Sequence, residues 1–424
     1  MVVVVTSLAR IMLLAPSTRL DSCGIPLSLE EVSRRIHVYQ PESNALVEPV
    51  AALVGSSDVR VACGADFLAR FQRECPGSVC VIAGNREQTI DHLLASVTVP
   101  CHAMALAPLV THIDQLATLK EVLRQAELRE VLVRDWMVQR FLPANVFVRD
   151  LIHDIDSFGP LLRGTEEHPA VDMEWTTNLL RGERCLVPPR PAEGLLTGLP
   201  VLLDLATWVF FASTALNAET DATVLSARQW PLPVPEETIR QLLRLPELPA
   251  GWQALAHQGL ILDPANGTST VLLKDIHFGL TVQGDYDPWP CSDAPARLEY
   301  TVRGLNSTVQ SRFQRMADGS PQQQVRLTGR DDTQQQRLQR TAELWCRRYR
   351  SSGAKLESTG EAVTVTFPNG MAELHRASRD AMEQFLRYCR YPQHAELSEL
   401  DNQYTKAAVT LRAVDLATTN LPPV

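Results

Sequence analysis

Residues 76–87 read Pro-Gly-Ser-Val-Cys-Val-Ile-Ala-Gly-Asn-Arg-Glu, and Val99-Pro100-Cys101-His102 follows soon after. Val79 to Ile82 is a short apolar run bounded by turn residues, the signature of a buried strand. Ala83-Gly84-Asn85 is a tight exit, and Asn85 with Gln88 forms an N-cap pattern for a helix to about Leu94. Val97 to Val99 reads as a second strand, which would deliver Cys101 and His102 at its end. Strand ends are where α/β sheets place ligands, so Cys101 and His102 are the candidate catalytic pair.

Working outward, residues 1–128 alternate strands with helices. Val2 to Val5 and Val59 to Cys63 are apolar runs of strand length, and Ser28-Leu29-Glu30-Glu31 is a capping box for a helix to about Ile36. Further helices are expected at 65–74 and 111–125. This grammar implies an α/β domain with a partly parallel sheet. Residues 129–258 read as a mainly helical region punctuated by proline, with helices at 131–141, 146–155 and 236–245 and a strongly apolar stretch from Leu195 to Leu216. Pro231, Pro233 and Pro235 read as a rigid link.

The pattern changes in residues 259–392. Asp263-Pro264-Ala265-Asn266-Gly267 predicts a hairpin turn, followed by a long strand from Val271 to Val282. Strands at 297–302, 324–328, near 355 and at 362–367, a turn at 368–370, and helices at 331–349 and 371–389 describe an α+β domain. Residues 393–424 have weak periodicity and are expected to form a C-terminal arm.

Composition narrows the class. With 45% apolar and 21% charged residues, the chain has enough of both to fold as a globular protein. Its N-terminal apolar run is interrupted by Thr6, Ser7 and Arg10, so it reads as a buried strand rather than a signal peptide, and no membrane span is expected. Nine cysteines without a Cys-x-x-Cys pair read as reduced thiols in a cytoplasmic protein. The net charge of −9 disfavours wholesale nucleic-acid binding. Arg303 to Lys355 nevertheless carries eleven Arg or Lys against four Asp or Glu, a local surplus of seven.

On the 331–349 helix, Leu338, Ala342, Trp345 and Tyr349 recur at helical spacing and form the buried stripe. Arg337, Arg340, Arg347 and Arg348 then project outward, a basic face suited to an anionic or phosphate-bearing ligand. His153-Asp154-Ile155-Asp156 and Glu166-Glu167-His168 offer His153, Asp156 and His168 as candidate metal ligands, set against the plainer reading of a solvated acidic loop. The order helix, helix, hairpin at 236–262 imitates a winged helix, but Trp252 to His257 lacks the basic residues that DNA binding needs.

The string from Pro76 to Glu87 with Val99 to His102 and Ala103-Met104-Ala105-Leu106-Ala107-Pro108-Leu109 resembles the small subdomain of malonyl-CoA:acyl carrier protein transacylases. That resemblance covers about residues 75–108 and implies that His102 is a general base. No Gly-x-Ser-x-Gly nucleophile elbow accompanies it. The resulting expectation is a degenerate acyltransferase-like protein acting as an accessory or interaction partner. The alternative is an enzyme, using His102 and Cys101 for acyl transfer or hydrolysis, or a metal in the 153–174 cluster. The residues specify no cofactor.

Overall fold

The computed structural model describes residues 2–6, 36–40, 59–63, 79–83, 86–105, 107–178, 191–211, 214–243, 247–248, 250–285, 297–315, 321–349, 353–367, 371–391 and 397–419. The expected helices at 28–36 and 65–74 and the turn at 368–370 lie outside these residues, apart from Ile36, which opens a strand.

Six short strands form the first sheet: β1 (Val2–Thr6), β2 (Ile36–Gln40), β3 (Val59–Cys63), β4 (Val79–Ala83), β5 (His102–Ala105) and β6 (Val133–Asp135). Their order is β3-β2-β1-β4-β5-β6 and every neighbouring pair is parallel. Valine-rich runs suit this sheet because strands of parallel sheets are as a rule buried on both faces. The chain builds outward from β1 in one direction and then, starting at β4, in the other, so the order reverses between β1 and β4. Helices α1 (Thr89–Thr98) and α2 (Gln115–Leu128) cover β4 and β5.

The expected strand at 97–99 is instead the end of α1. Ile90, Leu93 and Val97 fall at i, i+3 and i+7 and are all buried, so the helical stripe continues past Leu94. The expected helix at 131–141 is also replaced. Val131, Leu132 and Val133 are one short buried run leading into β6, and a single 3-10 turn, Val138–Phe141, follows. A run this short satisfies either period, and the available edge of the parallel sheet decides it.

The second sheet joins β7 (Val171–Asn178), β8 (Ala222–Pro235), β9 (Ala256–His257), β10 (Leu260–Leu273), β11 (Ile276–Asp285), β12 (Arg297–Arg303), β13 (Ser307–Arg315), β14 (Pro321–Gly329), β15 (Lys355–Ser358) and β16 (Val363–Phe367). The order is β15-β16-β14-β13-β12-β7-β11-β10-β8, with β9 paired to β10, and all pairs are antiparallel except β7 with β11. Its inner face packs on α3 (Pro143–Ile152), α4 (Glu193–Phe210), α6 (Asp332–Arg348) and α8 (Leu397–Thr419) in one continuous core. Helices α5 (Glu236–Leu243) and α7 (Met371–Arg390) complete the longer helices among the described residues.

Four further expectations are corrected. The region 129–258 is not mainly helical, since it supplies β6, β7 and β8. Pro231, Pro233 and Pro235 belong to β8, where an edge strand tolerates the missing N–H groups, with Pro233 facing Leu262 and Pro235 facing Leu260. The Asp263 to Gly267 segment is a bulge within β10, marked by a register shift between Asp263 and Asn266. The chain turns instead at Lys274 and Asp275, whose φ values of 45° and 67° are those of a tight hairpin turn. Finally, the C-terminal arm is the long helix α8, buried on several sides by both sheets, which explains its lack of a polar face. The helices at 331–349 and 371–389 and the strands at 297–302 and 362–367 form as expected.

Candidate functional site

In a sheet with this strand order, ligands lie outside the carboxyl ends of the strands, at the point where the order reverses. Those ends are Thr6, Gln40, Cys63, Ala83, Ala105 and Asp135. Beyond β5 the chain passes through a cis Ala107–Pro108 bond, and the Gln115 side-chain oxygen accepts hydrogen bonds from the backbone N–H of Thr111 at 2.8 Å and of His112 at 3.2 Å.

At the exit of β6 the edge is held by buried charges. Asp135 accepts from Lys406 Nζ at 2.6 Å and from Gln403 Nε2 at 2.9 Å, both on α8. The same Lys406 donates at 2.6 Å to Asp204 on α4, and Asp204 also accepts from Arg140 Nε at 2.6 Å. A second Arg140 contact, from Nη2 to Asp204 Oδ1, makes the pair a fork. Asp135, Arg140, Asp204 and Lys406 are each at least nine-tenths buried. Burial alone would raise the Asp204 pKa, but Arg140 and Lys406 overcome it and hold the carboxyl well below the usual range. Two cations and two anions cancel, and this neutral network ties β6 of the first sheet to α4 and α8 of the second core.

The residues singled out by sequence lie elsewhere. Because β5 runs parallel to β4, His102 stands at its amino end, opposite the edge where a ligand is expected. Its Nδ1 accepts from the Leu132 N–H at 3.1 Å, and burial lowers its pKa. Cys101 is fully buried in the core beneath α1, with Sγ directed at the Val99 carbonyl. His153 Nε2 lies 3.1 Å from the Val209 carbonyl, while Asp156 and His168 are exposed on separate segments. Among the described residues, no group of three or more His, Cys, Asp or Glu is arranged to hold a metal ion. Arg337, Arg340, Arg347 and Arg348 are all exposed on α6, and Leu338, Ala342 and Trp345 are buried.

Sequence reasoning missed Asp135, Arg140, Asp204 and Lys406. A signal was present, because Asp204 is the lone carboxylate deep within the apolar Leu195–Leu216 stretch and Lys406 precedes Ala-Ala-Val. An isolated charge in such surroundings needs a buried partner.

A family model described as "Putative oxidoreductase C terminal domain" matches residues 147–418. No curated protein matches the chain. Among solved structures, a "putative oxidoreductase" from Parabacteroides merdae is similar with a TM-score of 0.79 at 18% identity, covering 99% of this chain and 98% of its own. KijD10, a 3-ketoreductase from Actinomadura kijaniata in complex with TDP-benzene and NADP, is similar with a TM-score of 0.56 at 14% identity, covering 98% and 96%. The UDP-N-acetylglucosamine 3-dehydrogenase GnnA from Acidithiobacillus ferrooxidans gives 0.54 at 10%, covering 99% and 98%. At these identities the likeness is one of fold. These matches overturn the transacylase resemblance and the accessory-protein expectation built on it. The strand, turn and helix that carried the resemblance are common to doubly wound α/β sheets of any function.

Proposed function

The chain belongs to the oxidoreductase C-terminal-domain family, and on that premise we propose that it is an oxidoreductase working at the carboxyl edge of the parallel sheet, on a hydroxyl or carbonyl group of a sugar-like substrate. The strand order β3-β2-β1-β4-β5-β6 carries this reading, because it is the order of dinucleotide-binding sheets. The substrate class draws support from the 3-ketoreductase and the nucleotide-sugar 3-dehydrogenase among the similar structures.

The sheet fits a nicotinamide dinucleotide. Its order reverses between β1 and β4, and the small residues Ala83 and Ala105 end β4 and β5 beside that point. The loop after β1 departs from the usual pattern. From Ser7 to Cys23 there is no glycine, whereas the Gly-x-Gly-x-x-Gly fingerprint uses glycines so that the backbone can approach the pyrophosphate. Such a cofactor would supply hydride transfer when bound. This chain's part is to hold the edge open and rigid: the Lys406 ammonium keeps Asp135 and Asp204 paired, so the exit of β6 is fixed against α4 and α8.

Titration of the purified full-length protein with NADH and NADPH, read by nicotinamide fluorescence, tests the reading. Saturable binding of one of them, with oxidation of it on adding a nucleotide-linked keto-sugar, is expected. Failure of both reduced dinucleotides to bind at millimolar concentration would count against it.

A further inference from the structure

Helix α6 covers β14, β15 and β16, while α4 and α8 lie toward β8 at the other end of the same sheet. Leu338, Ala342 and Trp345 fix its inward side. On the outward side stands Leu344, 64% exposed, in a face made otherwise of arginine. With about 3.6 residues per turn, Arg337, Arg340, Arg347 and Arg348 all fall within about 60° of Leu344 round the helix, two on either side, and span roughly 16 Å along it.

These four guanidiniums are exposed, and none forms an ion pair or a side-chain hydrogen bond among the described residues; Arg348 lies 5.6 Å over the Tyr349 ring. The carboxylates of the helix are placed elsewhere. Asp331 accepts from the Gln334 N–H at 2.9 Å at the helix start, and Asp332 and Glu343 sit about 100–120° round from Leu344, with Glu343 accepting from Gln339 Nε2 at 3.0 Å. Arg337 and Arg340, three residues apart, repel each other until an anion lies between them. At the edge of the face, Thr341 meets Ser157 of the short helix Ile155–Phe158, their hydroxyls 2.7 Å apart. That helix bares Ile155, 68% exposed, so two of the three most exposed large apolar side chains among the described residues belong to neighbouring elements.

Arginine grips carboxylates through paired N–H donors, and a bare leucine gains from an apolar side chain laid over it. A phosphate chain meets only the first need, whereas a protein segment carrying both acidic and apolar residues meets both. We propose that the outward face of α6 docks an acidic segment of a partner protein, its Asp or Glu side chains forking onto these arginines and an apolar side chain covering Leu344. A face of this length makes a small and transient contact.

Fluorescence anisotropy with the full-length protein and a labelled peptide of four Glu-Leu-Glu-Ala repeats tests the docking. Saturable binding that weakens as salt rises is expected. Arg340→Glu with Arg347→Glu should weaken it by about tenfold or more, and Leu344→Ser by about threefold or more. The doubly reversed variant should bind a peptide of Lys-Leu-Lys-Ala repeats more tightly than the parent does, a gain that a misfolded chain cannot show. Lack of saturable binding by the parent would overturn the proposal. So would an affinity indifferent to the reversals or to Leu344→Ser, or equal affinity for Glu-Ser-Glu-Ala repeats or for tripolyphosphate, since the face would then serve any polyanion.

Discussion

Replacing Lys406 by Met keeps the length of the side chain and removes its charge, leaving Asp135 with the Gln403 amide as its side-chain partner among the described residues while Asp204 keeps Arg140. Breaking a buried ion pair by deleting one partner costs about 3–5 kcal/mol, because the survivor stays desolvated and unpaired. At about 2 °C per kcal/mol for a domain of this size, the melting temperature should fall by roughly 6–10 °C. Calorimetry on the full chain reads this directly. Adding Asp135→Asn to Lys406→Met neutralises the orphan and should recover most of the loss, whereas two independent lesions would add. A single variant melting within about 2 °C of the parent, or a double variant worse than either change alone, would refute the reasoning.

His92 and His102 both have pKa values lowered by burial, with Asp91 opposing the shift at His92. Their neutral forms contribute stability that is complete above the unfolded pKa of about 6.5 and lost as the pH falls through the folded values, so urea midpoints should drop in mild acid and drop less in His102→Asn. Gly194→Ala should destabilise by about 3 kcal/mol or more, because a Cβ there would lie 1.9 Å from the Ala265 carbonyl oxygen of the β10 bulge; an unchanged melting temperature would show that the bulge yields. Changing Arg337, Arg340, Arg347 and Arg348 to Gln should move stability by no more than about 0.5 kcal/mol, and if the basic face serves an anionic ligand it should abolish the salt-sensitive binding of tripolyphosphate. Read from the end of β1, Ser7, Ala9 and Met12 occupy the fingerprint glycine positions, so Ser7→Gly with Ala9→Gly should tighten NADPH or NADH binding in the fluorescence titration; unaltered affinity would mean that the loop does not limit it.

What was legible in the sequence follows from how many layers bury each element. Val2 to Val5, Val59 to Cys63 and Val79 to Ile82 are strands of a parallel sheet and read as continuous apolar runs. Arg297 to Arg303 and Val363 to Phe367 have one open face and alternate cleanly. On α6 the stripe of Leu338, Ala342 and Trp345 was plain because its other side meets solvent. Signals failed where tertiary context overrides local chemistry. Prolines at alternate positions suit β8 only because it is an edge strand, which no local window can know. Helix α8 loses its period because Val409, Leu411 and Ala413 are all buried by different neighbours. The strand next to His102 was misplaced by one element. A strand assigned to Val97–Val99 puts His102 at a carboxyl end, whereas a strand beginning at His102 puts it at the other.

The glycine-free loop and the intact sheet belong to different levels of constraint. Buried Val, Ile, Leu and Ala in β4, β5, α1 and α2 pack this part of the sheet. Fingerprint glycines, by contrast, exist for the ligand: they cost conformational entropy on folding, and replacing them where the backbone permits tends to stabilise a chain. On the proposed dinucleotide reading, Ser7, Ala9 and Met12 would therefore bear on ligand contact and not on whether the domain folds. The same separation applies across the seam, where Lys406 joins β6 to α4 through Asp135 and Asp204, and the cations beside Asp204 hold its carboxyl well below the usual range. Specificity in such a molecule is carried by its loops and strand ends, while the fold persists beneath them.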